Sequence, residues 1–208
     1  MTSHLPLDAK KPEGSQLKRA CIFGGTSVGR GDDYKNATIE LGRELASKQL
    51  DLFYGGESTG LLGLVAQTIH DAGGHVFGFT LEVLRSEKMI GELRIVTSLH
   101  QRKLEIARCA DCFIALPGGY EAMDGLLEAV SWAQLGIHDK PIGLLNVNGY
   151  FDDFTAFINK AIEDGFIRLS QKELIVQDNS VKGLLQKLEE YESVREGAIP
   201  KELWETEE

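Results

Sequence analysis

Short, almost uninterrupted apolar runs alternate along this chain with stretches of helical periodicity. That alternation restricts the fold more than any other feature. The runs are ACIFGG (20–25), LDLFYGG (50–56), HVFGF (75–79), LRIVTS (93–98), CFIALPGG (112–119), PIGLLNV (141–147) and ELIVQ (173–177). A strand with one wet face alternates apolar and polar residues. A run that is apolar at nearly every position suits a strand covered on both faces, as in a parallel sheet between two helix layers. Helical patterns fill the intervals at 34–48, 61–72, 99–109, 122–136, 151–164 and 181–191. In the second of these, Leu61, Leu64, Val65, Thr68 and Ile69 recur at helical spacing and draw one apolar stripe. The pattern predicts an α/β fold with a doubly wound, mainly parallel sheet of about seven strands in a single domain. Ligands of such folds sit beyond the carboxyl ends of the strands, so the turns after the apolar runs are where a site is expected.

Residues 1–16 are polar and aperiodic, with Pro6, Pro12 and Gly14, and are expected to form a disordered tail. Residues 192–208 read as a second, acidic tail, which leaves 17–191 as the folded unit. The 208 residues carry 22 Lys and Arg against 32 Asp and Glu, a net charge of −10. That balance argues against a nucleic-acid binder, because phosphate neutralisation needs clustered cations. A small phosphorylated ligand needs only one or two. No run approaches the ~20 apolar residues of a membrane span, and residues 1–19 lack the apolar core of a signal peptide. The cysteines Cys21, Cys109 and Cys112 have no framework spacing, which fits a reducing compartment; a cytosolic or nucleocytosolic protein is expected. Cys112 opens an apolar strand, so burial is expected for the Cys109/Cys112 pair rather than metal or redox use. His70, His75, His100 and His138 show no ligand spacing, so neither a metal nor a cofactor is expected.

Three strand-to-helix turns are rich in glycine: 24–29 (GGTSVG), 55–60 (GGESTG) and 117–120 (PGGY). Glycine lets a backbone approach an anion closely, and the helix that follows presents unsatisfied N–H groups. One such turn is ordinary connection chemistry; three in one chain point to a shared phosphate cradle. None has the Gly-Lys-Ser/Thr of a P-loop or the full Gly-x-Gly-x-x-Gly spacing. The candidate binding residues are Gly25, Thr26, Ser27, Gly56, Ser58, Gly118, Gly119 and Tyr120. Arg102 and Lys103 open the helix after the fourth run, where positive charge opposes the macrodipole. They read either as a solvated face or as a clamp for phosphate and sugar.

PGGY, HQRK (100–103), YGG (54–56), CIFGG and above all WAQLGIHDKPIGLLNVNGYF (132–151) closely resemble the Lonely Guy family over roughly residues 17–191. These are cytokinin riboside 5′-monophosphate phosphoribohydrolases, once described as lysine decarboxylases. The resemblance implies a Rossmann-like fold, a homodimer with sites near the interface, and no metal or redox cofactor. It implies hydrolysis of the N-glycosidic bond of an N6-substituted AMP to free base and ribose 5-phosphate. It also implies substrate contacts at Arg102, Lys103, Glu87 and Ser131, with Arg102 partnering the motif glutamate. The apolar face with Leu126, Val130 and Ala133 is the expected dimer contact.

The departures cluster at the expected site. The family motif Pro-Gly-Gly-x-Gly-Thr-x-x-Glu reads here Pro117-Gly118-Gly119-Tyr120-Glu121-Ala122-Met123-Asp124-Gly125. Glycosidic cleavage builds oxocarbenium character, which a nearby carboxylate stabilises while it orients or activates water. Gly125 removes the family's carboxylate. Asp124, about 100° around the helix, and Glu121, on the face of residue 125 but four positions earlier, are the candidate substitutes. Glu121, like Glu57 in the second glycine turn, can also repel phosphate. Three readings follow: a slow phosphoribohydrolase, an inactive nucleotide-binding homologue, and a subunit that pairs with active relatives. The motif departures predict that Glu121→Gly, Ala122→Thr and Gly125→Glu together restore turnover. Helix propensity predicts that Gly125→Glu is mildly stabilising.

Overall fold

A computed structural model describes residues 17–56, 58–84 and 89–193 of the chain. Both tail assignments therefore lie outside the described residues, apart from residues 192 and 193. Every one of the seven apolar runs overlaps a strand: β1 (Arg19–Phe23), β2 (Asp51–Tyr54), β3 (Val76–Leu81), β4 (Glu92–Val96), β5 (Cys112–Ala115), β6 (Ile142–Leu145) and β7 (Ile175–Asp178). They form one sheet in the order β4-β3-β2-β1-β5-β6-β7, and every pairing is parallel. β5 and β6 are buried at every position, as their unbroken apolar sequences require. The two edge strands, β4 and β7, carry Glu92, Arg94, Gln177 and Asp178 and are the least buried. Polar edges of this kind discourage pairing with another sheet.

Among the described residues five α-helices cross over between strands, α1 (Asp33–Ser47), α2 (Gly60–Asp71), α3 (Leu99–Cys109), α4 (Tyr120–Gln134) and α5 (Asp152–Glu163), and α6 (Val181–Glu189) follows β7. One face of the sheet packs Leu41 and Leu45 of α1, Val65 and Ile69 of α2, and Leu184 and Leu188 of α6 into a single core. The opposite face packs Ile106 of α3, Leu126 and Ala129 of α4 and Phe154 of α5. This is the doubly wound arrangement expected from the sequence. The chain runs outward from β1 to β4, then returns through α3 to β5 beside β1. The β1/β5 boundary is thus the topological switch point, where the loops diverge and leave a crevice at the carboxyl end of the sheet.

Two expectations need correction. Leu126 is fully buried against the sheet and cannot meet a partner, and Val130 and Ala133 pack against the same core. The outer face of α4 instead presents Tyr120, Leu127, Ser131 and Leu135. Second, α4 begins at Tyr120 rather than Ala122, so Glu121 belongs to its first turn. A carboxylate there is favoured by the helix macrodipole. Among the described residues no helix is long and apolar enough to cross a membrane.

Candidate active site

The three glycine turns meet at the switch point through backbone contacts. Gly25 N–H donates to the Pro117 carbonyl at 3.0 Å, and Leu61 N–H donates to the Gly25 carbonyl at 2.9 Å. A side chain at Gly118 would place its Cβ 2.6 Å from Gly25 N. One at Gly60, whose φ is +64°, would sit 2.2 Å from the Thr26 carbonyl carbon. Only glycine fits a contact that close. The sequence thus locks Gly25, Thr26 and Ser27 between the other two turns, with Thr26 and Ser27 exposed at the rim. Gly119 caps the amino end of α4 over open space.

Arg102 is held by α3, whose start is firmly built. Ser98 Oγ accepts from Gln101 N–H at 3.0 Å, and Gln101 Oε1 accepts from Thr97 N–H and Oγ1, both at 2.7 Å. The Arg102 side chain is 14% exposed and lies between two loops. Its Nη1 donates to the Gly55 carbonyl at 3.4 Å and its Nη2 meets Glu121 Oε1 at 3.5 Å. The clamp expected of the adjacent cations is divided. Lys103 Nζ lies 2.7 Å from Asp124 Oδ2 and 3.0 Å from Glu128 Oε2, so it ties α3 to α4. Burial acts to lower the Lys103 pKa, but the bonds to Asp124 and Glu128 outweigh it and hold the ammonium above its ordinary value. Asp124 is correspondingly committed to Lys103. Glu121 is the α4 carboxylate that faces Arg102.

These side chains border an open concavity of about 710 Å³, within the range of small-molecule sites. Leu99, His100, Arg102, Lys103, Tyr120, Glu121, Asp124 and Glu128 line it. A narrower, mostly apolar cavity of about 70 Å³ opens beneath, floored by Phe23, Ile106, Phe113, Gly125 and Ala129. Gly125 is not simply an empty position. A Cβ there would lie 2.6 Å from Phe23 Cδ1 and 2.8 Å from Cε1, and Phe23 is itself stacked on Phe113 at 5.8 Å. The expectation that a larger residue at 125 only adds helix propensity is therefore wrong: Phe23 must move first.

The structure brings Gly25, Thr26, Ser27, Gly56, Ser58, Gly118, Gly119, Tyr120, Arg102, Glu121 and Asp124 to one end of the sheet. Ser131 stands apart, exposed on the outer face of α4 with its hydroxyl donating to the Leu127 carbonyl at 2.7 Å. Glu87 and Glu57 lie outside the described residues. Two tyrosines to which the motifs assigned no role brace the loops around the site. Tyr150 OH donates to the Gly118 carbonyl, and its ring meets Tyr34 edge-on at 6.0 Å. Tyr54, fully buried, donates to the Ile90 carbonyl at 3.0 Å and so fixes the return of the β3–β4 connection. An aromatic hydroxyl next to a glycine turn is the signal that could have found them. Cys109 and Cys112 are buried as expected, Cys21 is buried too, and burial pushes the Cys112 thiol up to about 12, far from thiolate chemistry at neutral pH.

Fold and site together define a doubly wound α/β protein with an arginine–glutamate pair at the mouth of its switch-point crevice. Comparison with known proteins is consistent with this. The family described as possible lysine decarboxylase matches residues 62–188. Cytokinin riboside 5′-monophosphate phosphoribohydrolase LOG5 of Arabidopsis thaliana is 49% identical over 197 residues, covering 93% of this chain and 86% of its own. The probable phosphoribohydrolase LOGL2 of Oryza sativa subsp. japonica is also 49% identical, covering 93% and 81%. Among solved structures, the Moco carrier protein of Chlamydomonas reinhardtii aligns with a TM-score of 0.61 at 17% identity, over 84% of this chain and 97% of its own. The molybdenum cofactor binding protein of Rippkaea orientalis aligns at 0.62 and 15%, over 82% and 94%. Those two likenesses show the fold alone. The chain belongs to the Lonely Guy, or possible lysine decarboxylase, family.

Proposed function

We propose that the chain binds N6-substituted adenosine 5′-monophosphate at the switch-point concavity and hydrolyses its N-glycosidic bond, more slowly than relatives that keep the motif glutamate. The observation that carries this reading is the Arg102–Glu121 pair, 3.5 Å apart at the mouth of the concavity. It supplies a carboxylate and its cationic partner although position 125 has no side chain. Water's oxygen bonds to the anomeric carbon as the bond to the purine nitrogen breaks. Glu121 takes the water's proton and returns it to solvent, and the purine takes up one proton. Kinship supports the substrate class, since relatives near half identity carry that activity in their names. The rest of the reading is a homodimer, or a heterodimer with active relatives, in the cytosol or nucleocytosol. Light scattering that shows a single-chain mass alone at micromolar concentration would remove the dimer.

Isopentenyladenosine 5′-monophosphate incubated with the pure protein should release free base slowly, and AMP should give a calorimetric binding signal. Binding without release would favour the second reading, an inactive nucleotide-binding homologue, which the bare Gly125 supports. Neither binding nor release would overturn both.

A further inference from the structure

We infer that Tyr150 is a positioning residue of this site: its hydroxyl holds the Gly118–Gly119 peptide so that the Gly119 N–H, rather than the Gly118 carbonyl, is turned to the phosphate of the nucleotide. The inference rests on the reading above and names the side chain that sets the third glycine turn. Gly118 is wedged, since a Cβ there would lie 2.6 Å from Gly25 N and 2.9 Å from the Gly24 carbonyl carbon, whereas Gly119 opens on free space. A peptide between two glycines turns about its flanking bonds at little steric cost. Either its N–H or its carbonyl can then face the ligand, and the two choices have opposite sign, because the donor stabilises a phosphate oxygen and the acceptor repels it. The Tyr150 hydroxyl donates to the Gly118 carbonyl. No peptide bond among the described residues is cis, and in a trans peptide the carbonyl and the N–H that follows point to opposite sides. Holding the Gly118 oxygen toward Tyr150 therefore turns the Gly119 N–H away from it. Tyr120 and Glu121, the next two residues, line the concavity, and Tyr150 stands outside that lining.

The turn that carries Tyr150, between β6 and α5, is built to hold it still. Asn146 Oδ1 accepts from Phe151 N–H at 2.7 Å, and Asn146 Nδ2 donates to Asp152 Oδ1 at 2.8 Å. Asn148 and Gly149 follow at φ +53° and +70°, the left-handed conformation that asparagine and glycine adopt most readily. Asn148 Nδ2 donates to Asp33 Oδ2 at 2.8 Å, at the start of α1 and so just beyond the first glycine turn. Phe151, 2% exposed, anchors the turn in the core. The Tyr150 ring meets Phe151 edge-on at 5.1 Å and Tyr34 edge-on at 6.0 Å. The ring thus does the packing, while the hydroxyl of this half-exposed residue reaches across to the third glycine turn. One rigid turn braces the segment after the first glycine turn and the Gly118–Gly119 peptide together.

The test removes the hydroxyl and keeps the ring. The wild type and Tyr150→Phe, both full length, are titrated calorimetrically with AMP. Tyr150→Phe should bind AMP about fivefold more weakly, the worth of one hydrogen bond, and should melt within about 3 °C of the wild type. In amide-proton NMR spectra, AMP should move the Gly119 signal downfield in the wild type and less in Tyr150→Phe, a signature that a role in stability alone would not give. With isopentenyladenosine 5′-monophosphate as substrate, KM should rise about fivefold and kcat should stay within about twofold, as when binding common to ground and transition states is lost. Three results overturn the inference and leave the proposed function standing. They are equal AMP affinity in the two proteins, a Gly119 amide that AMP leaves unmoved in the wild type, and weaker binding accompanied by a fall in melting temperature of about 10 °C, which would make Tyr150 a plain structural residue. Binding of AMP by neither protein overturns the inference and that reading together.

Discussion

The two ends of the sheet use the same kinds of residue in opposite ways. At the amino end, Arg19 grips Asp111 as a fork, Nε to Oδ2 at 3.2 Å and Nη2 to Oδ1 at 2.8 Å. Asp111 Oδ2 also accepts the backbone N–H groups of Lys18 and Arg19, both at 3.1 Å. Beside it Lys140 Nζ donates to the Ala107 and Arg108 carbonyls and closes the carboxyl end of α3. Burial lowers Lys140 to about 8. At the carboxyl end, Arg102 reaches the Gly55 carbonyl at 3.4 Å and Glu121 at 3.5 Å, and an open concavity stands in front of them. Short, multiply bonded ion pairs fix the register of strands and helices; a long pair beside an open concavity can exchange partners for a ligand. At the switch point Lys103 ties α3 to α4 as firmly as the ion pairs at the opposite end, and it is Arg102 and Glu121 that stand long-bonded in front of the concavity.

Arg102→Ala should break the comparison most severely. Glu121 is half exposed, so loss of Arg102 removes the cation that faces the concavity and leaves a carboxylate that water can reach. Binding of the 5′-monophosphate should fall by about a hundredfold, the worth of a charge-assisted bond, and thermal stability should hardly change. Unaltered AMP affinity by calorimetry would take Arg102 out of the site.

The strands were legible because burial on both faces writes itself as unbroken apolar runs, and α2 because Leu61, Leu64, Val65, Thr68 and Ile69 draw one apolar stripe. The start of α4 was misplaced: Pro117, Gly118 and Gly119 read as turn chemistry, and Glu121 read as a departure from a motif rather than as a first-turn residue. The convergence of the glycine turns was suggested by their number, but the locking role of Gly60 depends on a tertiary contact across two loops. The division between Arg102 and Lys103 was not legible, since adjacent cations point about 100° apart on a helix and their partners lie on α4. The obstruction at Gly125 was hidden for the same reason: Phe23 is about a hundred residues away in sequence.

Acid should expose the folding role of the amino end. His138, behind the α4–β6 turn, holds the Ala129 carbonyl at 3.0 Å through Nε2, and its Nδ1 accepts from Lys140 N–H at 3.2 Å, which requires the neutral ring. Burial, then the nearby Lys140 charge, lowers its pKa from 6.5 to about 4. The folded state therefore favours the uncharged ring. Its contribution is complete above pH 6.5 and is lost as the pH falls toward 4, where the unfolded chain binds the extra proton. The loss should reach about 3 kcal/mol. Urea melts across that window should show the slope, and His138→Gln should flatten it. Asp111→Asn should cost less, about 2 kcal/mol, because charge and one oxygen are lost but the backbone donors keep an acceptor. AMP affinity should survive both changes, and its loss in Asp111→Asn would mean that the two ends are coupled.

The smallest effect lies at Gly125, where helix propensity and packing oppose each other. Alanine is favoured over glycine inside a helix by about 1 kcal/mol. Against that, the new Cβ would stand 2.6 Å from Phe23 Cδ1, and the ring is stacked on Phe113 with an interplanar angle of 6°. Overpacking of this kind costs about 1–3 kcal/mol, so Gly125→Ala should be net destabilising by about 1 kcal/mol. Phe23→Leu alone loses packing, but in its background Gly125→Ala should become neutral or stabilising. The double-mutant cycle should then show coupling, as expected of residues in contact. Additive effects would mean that Phe23 swings aside without cost. That outcome decides how to rebuild the motif. If the ring yields, Glu121→Gly, Ala122→Thr and Gly125→Glu should by themselves move the carboxylate one turn along α4 and raise turnover. If it does not, the same triple variant needs Phe23→Leu before the glutamate can enter the cavity beneath Arg102.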